Sequence, residues 1–447
     1  MESWAQKYDD LVFTKVSCEW IRYHTSILQE GTDAVHTDCD YSAALVTITP
    51  STGDVVGNGI IFTIGKGSDT CIKCVSEFKD LIEGKTLGSV LRDFRKFWRS
   101  ITQHSQMRWI GPEKGVSHLC LAGVVNAIWD LWGKLEKRPL WRLLSEDISP
   151  EQLVSMLDFS YISDLCSESD ALKILKEAYE TRNDRIKEME TQGHPAYTTA
   201  VGWAGYSDEK VYALTRMAVD EQGFNAFKVK VGTGLEKDEK RVKLVRDAVG
   251  PDAYVMTDAN QVWDVEEAVR VMDALRKYNI TWIEEPTHPD DAYGHAEISK
   301  RLKDWNIGVA TGEHCSNRVL HKQMMMLDSY KFVQSDPVRV GGLNELIVVF
   351  LMAKKVGKPV CLHAGGVGLC EMGIHAALFN YIGVSASLEN VWFEYAGALH
   401  EHFKTPVEIK GGKYMMPTGF GYGSDMFEES IAMYRYPSGE YWVNLKK

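Results

Sequence analysis

The sequence has no surplus of positive charge. Its 50 Lys and Arg face 62 Asp and Glu, a net charge of −12. That is the wrong sign for drawing a phosphate backbone or an anionic membrane surface to the chain, so neither nucleic acid nor membrane is an expected partner. Long apolar runs are missing as well. The most apolar stretch, Val116 to Trp132, is interrupted by His118, Asn126 and Asp130, which makes it a buried helix and not a membrane span. Cysteines are few, odd in number and scattered: nine in 447 residues, unlike a disulfide framework, which points to a reducing compartment. Cys71 and Cys74 form a C-x-x-C, but no second pair follows at zinc spacing, and they read as structural thiols. The first ten residues carry neither the basic and apolar regions of a secretory signal nor the acid-poor character of a mitochondrial presequence. The cytoplasm is therefore the expected compartment, with the mitochondrion as the alternative. Proline is scarce, at 13, and low-complexity sequence is absent, so disorder cannot dominate.

What the chain does have is enough length for two or three domains. Residues 1–150 show a β-meander between Tyr41 and Thr63, then helical periodicity over Val75 to Arg99 and Lys114 to Lys137, which reads as an α+β unit. Past Pro150, short apolar runs alternate with amphipathic helical windows, the pattern of parallel strands covered by helices. The expected strands are Leu153 to Phe159, Phe224 to Val231, Ala253 to Asn260, Thr281 to Pro286, Gly308 to Glu313, Phe332 to Val338, Pro359 to Ala364 and Val391 to Tyr395. The charged stretch Ser167 to Gln192 reads as an exposed helical insertion. The expected fold is thus an α/β chain: a (β/α)7β TIM-like barrel over 151–397, with an α+β capping domain made by 1–150 and the returning tail 398–447.

A polar residue ending one apolar strand is unremarkable, but here one follows nearly every strand. Lys228 and Lys230, Asp258, Glu284, Glu313, Asp336, His363 and Glu394 succeed one another at roughly one βα unit of about 30 residues. In a parallel barrel all strand C-termini open on one face, so these side chains should converge there. Asp258, Glu284 and Glu313 would repel one another unless a cation neutralised them. A set of three carboxylates favours Mg2+, with Mn2+ as the alternative. Lys228 and Lys230 are two apart and face the same side of their strand, where neighbouring positive charge should lower an amine toward the range of a base. Asp336 should hold the ring of His363 for proton donation, and Glu394, if crowding keeps it protonated, should donate to a substrate carboxylate. His400 and His402 lie past the last strand and read as solvated surface.

Lys228-Val229-Lys230, Asp258-Ala259-Asn260-Gln261, Trp282-Ile283-Glu284-Glu285-Pro286, Thr311-Gly312-Glu313, Asp336 and His363-Ala364-Gly365-Gly366 together resemble the mandelate-racemase branch of the enolase superfamily. Within it the chain is most similar to the L-fuconate dehydratase group, through Arg108 to Gly115, His36-Thr37-Asp38, Tyr41 to Ala44 and Gly365 to Leu369. That resemblance implies a hydro-lyase acting on a small sugar acid. Lys230 would take the proton alpha to the carboxylate, with Mg2+ on Asp258, Glu284 and Glu313, and His363 held by Asp336 would protonate the departing 3-hydroxyl. Lys228, Asn260, Glu394, His36 and Trp203 would contact substrate, and a homo-oligomer is the implied assembly. Ser160 after Asp158-Phe159, Ala204 after Trp203, and Tyr23-His24 after Arg22 depart from the group's pattern, which leaves the identity of the sugar acid open. L-galactonate or a related aldonate, racemisation or epimerisation of an alpha-hydroxy acid, and a non-catalytic regulatory role are the alternatives. The loop from Arg22 to Tyr41 and residues 65–67 are the expected lid.

Overall fold

The computed structural model describes residues 3–52 and 54–445. The chain opens with an antiparallel sheet, β1 (Phe13–Arg22), β2 (Ser42–Pro50) and β3 (Gly57–Thr63), in the order β1-β2-β3. One face of it lies on the helix Gly115–Leu135, which is buried over most of its length. The two approach closely because the chain is small on both sides. A Cβ on Gly59 would stand 2.0 Å from the Gly123 carbonyl oxygen, and one on Gly57 2.1 Å from that of Ala127. Gly59→Ala should therefore force strand and helix apart and cost ~1–3 kcal/mol, read as a lower thermal midpoint. An unchanged midpoint would show that the sheet lifts without penalty.

The second unit is a curled parallel sheet of TIM-barrel type. Its strands β4 (His194–Thr198), β5 (Ala226–Lys230), β6 (Tyr254–Asp258), β7 (Ile280–Glu284), β8 (Gly308–Thr311) and β9 (Phe332–Val333) pair in sequence order. β10 (Phe393–Tyr395) returns to pair in parallel with β4. Between β9 and β10 the expected strand Pro359 to Ala364 is reduced to one bridge, Val333 with Val360, and the Glu394 amide reaches the Leu362 carbonyl at 3.4 Å.

The first barrel strand differs from expectation. Leu153 to Phe159 does not form one: Pro150–Met156 is a helix, entered through a capping box of Ser149 and Gln152 with Pro150 at its first turn. The strand next to β5 is His194–Thr198, too short and too interrupted by Pro195 to show as an apolar run. Ser167 to Gln192 therefore precedes the sheet and does not interrupt it. It forms two helices, Glu168–Glu180 and Arg182–Gln192, that are not fully exposed: Leu175, Ile186 and Met189 are buried, and Arg185 donates to the Ile382 carbonyl at 3.0 Å. The tail serves both units, since β11 (Ile409–Lys410) and β12 (Lys413–Tyr414) form a hairpin whose second strand pairs with β4, while Arg435 bridges to Ile21 of β1.

Buried polar contacts lock the first unit to the barrel near the strand ends. Fully buried Arg318 pairs with Glu113 and Glu345, each at 2.8 Å, and Glu345 also holds His118 at 2.6 Å. Asn126 of the central helix donates to the Pro337 carbonyl at 2.9 Å, fixing the turn that carries Asp336. No helix among the described residues is long and apolar enough to cross a membrane. All nine cysteines are free.

Candidate active site at the mouth of the barrel

The barrel interior is floored by one apolar layer, Tyr197, Ala226, Met256, Trp282, Ala310, Phe332, Cys361 and Trp392, one residue from each of eight segments. Side chains on one face of a strand recur every two residues. Two positions further along stand Lys228, Asp258, Glu284, Gly312, Gln334, His363 and Glu394. The functional layer is thus the next level above the floor, and the regular period explains why residues far apart in sequence meet.

Lys228 is buried among carboxylates, with Nζ 2.5 Å from Glu284, 2.8 Å from Glu394 and 3.5 Å from Asp258. Lys230, next along the same face, donates to Asp258 at 2.5 Å and to Asn260 Oδ1 at 3.1 Å, and its ammonium lies 5.5 Å from the centre of the Trp203 ring. Burial opposes both charged amines, but the carboxylates outweigh it, Asp258 for Lys230 and Glu284 with Glu394 for Lys228. Among these carboxylates both lysines are therefore held above the ordinary value.

His363 Nδ1 lies 2.6 Å from Asp336 Oδ2, and its Nε2 lies 3.4 Å from Glu313 and 3.8 Å from Glu394. Burial works against the protonated ring, yet Glu313 and Asp336 push it up to about 10. Glu394 accepts from the Ala364 amide at 2.9 Å. Although burial opposes its charge, Lys228 and His363 bring it down to about 2. It also pairs with Lys228 at 2.8 Å, and these partners favour its carboxylate form.

The expected metal-facing carboxylates are close together but not equivalent. Asp258 Oδ2 takes Lys230, and Glu284 is deeper, with Oε1 on Lys228 and Oε2 2.6 Å from Gln334 and 3.2 Å from Trp282 Nε1. Glu313 instead shares its neighbourhood with Glu285 and His314, whose ligand atoms lie within 4.8 Å of one another. Burial and neighbouring carboxylates raise Glu313. Lys228, Lys230 and the protonated His363 are thus set against the buried Asp258, Glu284, Glu285, Asp336 and Glu394 and the half-buried Glu313, an excess of negative charge that suits a divalent cation.

A cavity of about 140 Å3 opens above this layer, and both units line it. From the first unit come His36, Tyr41 and Phe62, and from the barrel Trp203, Lys230, His363 and others. The loop carrying His36 is fastened across the mouth, where Ala204 donates to the Thr32 carbonyl and Gly205 to its hydroxyl, both at 2.9 Å. His36 is itself held by Asp33 at 2.9 Å. The sequence reading missed Asp33, Glu285, His314, Gln334 and Arg339. Gln334 falls on the period of two, and Asp33 forms a D-x-x-H with His36, so both carried a signal. Glu285, His314 and Arg339 lie past strand ends, where periodicity stops. His400 and His402 are not solvated surface, since Glu371 holds the first at 2.7 Å and Ser430 the second at 3.0 Å, both largely buried.

Residues 210–430 match the family model described as Enolase C-terminal domain-like. Over 439 residues the chain is 49% identical to mitochondrial enolase superfamily member 1 of Xenopus laevis, covering 97% of this chain and 98% of that protein. This chain belongs to the enolase superfamily. Another superfamily relative, L-galactonate dehydratase of Hypocrea jecorina, is 43% identical over 420 residues, covering 93% and 92% of the two chains. The crystal structure of human mitochondrial enolase superfamily member 1 superposes with a TM-score of 0.96 at 48% identity, over 97% of this chain and 99% of that one. L-talarate/galactarate dehydratase of Salmonella typhimurium LT2, solved with Mg and L-lyxarohydroxamate, shares the fold at 21% identity, with a TM-score of 0.73 over 96% and 94% of the chains.

Proposed function

We propose that this chain is a Mg2+-dependent dehydratase of a sugar acid, built as a (β/α)7β barrel under an α+β cap, that removes the C2 proton and the 3-hydroxyl to give a 2-keto-3-deoxy acid. L-fuconate is the first substrate to test, and L-galactonate or a related aldonate is the alternative. The observation that carries the reading is the pairing, around one cavity, of an amine on β5 with a carboxylate-held imidazole on the segment before β10. Sugar-acid dehydratases among the relatives support it, as do solved neighbours that contain Mg.

Asp258 and Glu313, with Glu285 or Glu284 completing the set, would hold the ion. Bound there, it would supply positive charge to the substrate carboxylate and offset the Asp258 charge that holds Lys230 as an ammonium. Both lysines border the cavity, but Lys230 is the amine able to act: it has one close carboxylate, whereas Lys228 is enclosed by three. Lys228 instead orients, presenting its charge to the substrate carboxylate from below. Lys230 Nζ removes the C2 proton. His363, with Nδ1 committed to Asp336, donates from Nε2 to the leaving 3-hydroxyl, and the enol that remains ketonises. The His36 loop and Trp203 narrow the mouth and limit water around the developing charge.

A panel of aldonates, assayed for 2-keto-3-deoxy product with Mg2+ present, tests this. Product from L-fuconate or L-galactonate is expected. Inversion at C2 without loss of water would make the chain a racemase, and no reaction with any acid would leave the dehydratase reading without support.

A further inference from the structure

Two residues that border the cavity take no part in these proton transfers, although His314 Nδ1 lies within the Glu285 and Glu313 cluster. His314, in the turn after β8, presents Nδ1 to Glu285 at 2.7 Å, which fixes the ring and leaves Nε2 without a partner among the described residues. Its side chain is 27% exposed, and it borders the cavity. Arg339, in the turn after β9, is anchored by Nε to the Glu313 carbonyl at 3.0 Å. Its two Nη groups make no hydrogen bond or ion pair among the described residues, and it borders the same cavity. Glu285, which steadies His314, is fully buried and keeps a backbone φ of 41°, a left-handed conformation costly for a non-glycine residue.

Their place relative to the reacting groups gives these donors a direction. The substrate carboxylate belongs at the level of Lys228, C2 at Lys230 and C3 at His363. His314 and Arg339 follow Glu313 and Asp336 along the chain, past the strand ends, and border the same cavity as Lys230 and His363, within which the rest of an extended substrate must find room. A guanidinium fork that donates to oxygen and an imidazole nitrogen that can accept from or donate to a hydroxyl, both kept from protein partners in a narrow cavity, are suited to sugar hydroxyls, and leaving them unpaired in a closed complex would be costly. We propose that His314 and Arg339 are specificity-determining residues that bind the sugar acid's hydroxyl groups beyond C4, which a four-carbon acid lacks. This rests on the dehydratase reading above.

The test compares the six-carbon aldonate that the enzyme dehydrates best with a four-carbon aldonate of the same C2 and C3 configuration. Affinities are measured by calorimetry in a Lys230→Ala background, so that turnover of the short acid is not needed, and thermal midpoints check folding. Adding Arg339→Met or His314→Gln should weaken the long acid at least tenfold relative to the short one, with Arg339→Lys recovering part of the loss. In the otherwise native enzyme the same changes should raise KM for the long acid more than they lower kcat. A long-to-short affinity ratio within twofold of the parent's, or equal loss for both acids, would overturn the proposal while the dehydratase reading stood. Absence of 2-keto-3-deoxy product from the unmodified enzyme with every acid would remove both.

Discussion

Lys230→Ala is expected to abolish both product formation and exchange of the substrate's C2 hydrogen in D2O, while His363→Asn keeps the exchange and loses product. The asymmetry follows from what each group touches. Lys230 is an amine at the cavity wall, with Asp258 and Asn260 as its hydrogen-bond partners. Removing it leaves Lys228, which cannot replace it because Glu284, Glu394 and Asp258 enclose its ammonium. His363 turns Nε2, which the Gly365 amide nitrogen approaches at 3.2 Å, toward the cavity, its other nitrogen being committed to Asp336. Without it the proton at C2 can still leave and return, but the 3-hydroxyl must depart as hydroxide. General acid or base assistance contributes roughly 10²–10⁴-fold, so each variant should lose turnover by about that factor, and only the lysine variant should lose exchange as well. Asp336→Asn should resemble the histidine change in milder form, because the ring stays but its tautomer is no longer fixed. Deuterium NMR or mass spectrometry of recovered substrate reads the exchange directly. Exchange in the lysine variant with none in the histidine variant would reverse the assignment, and full activity in both would remove the barrel mouth as the active site.

Why this much was legible before any coordinates is a matter of periodicity. Lys228, Asp258, Glu284, His363 and Glu394 each stand two residues beyond a member of the apolar floor, so strand alternation and βα spacing together bring them to one level. The same logic fails where strands are short or bent. His194–Thr198 carries His, Pro and Thr among its five residues and shows no apolar run, whereas Leu153 to Phe159 does but is claimed by the Ser149 cap and Pro150 for a helix. Neither the positive φ of Glu285 nor the anchoring of Arg339 on a carbonyl leaves a trace in residue type. The adjacency of Glu284 and Glu285 posed a choice that sequence spacing alone could not make on physical grounds, because one of them meets Lys228 and Gln334 and the other His314 and Gln261.

That choice sets the second large effect. Asp258→Asn and Glu313→Gln should each weaken Mg2+ by more than the roughly 10–100-fold typical of losing a partner one step removed from a metal, and turnover should fall with it. The metal-free protein should respond in opposite senses to Glu313→Gln and Glu284→Gln. Glu313 faces His363 and His314, each at 3.4 Å, but burial and the neighbouring Glu285 outweigh them, so neutralising it should raise the thermal midpoint in EDTA. Glu284 is a buried counter-charge to Lys228 at 2.5 Å, and removing one partner of a buried pair costs ~3–5 kcal/mol, so its amide should lower that midpoint. Mg2+ at about 100 times its Kd adds ~2.7 kcal/mol to a protein that binds it only when folded, a gain the Glu313 variant should largely forfeit. Titration calorimetry with Mg2+ alone then ranks Glu284→Gln against Glu285→Gln: the ligand is the one whose amide loses affinity by the larger factor. Undiminished Mg2+ affinity in the Asp258, Glu284, Glu285 and Glu313 variants alike, with activity persisting in EDTA, would mean that this cluster holds no ion and that its negative charge serves another purpose.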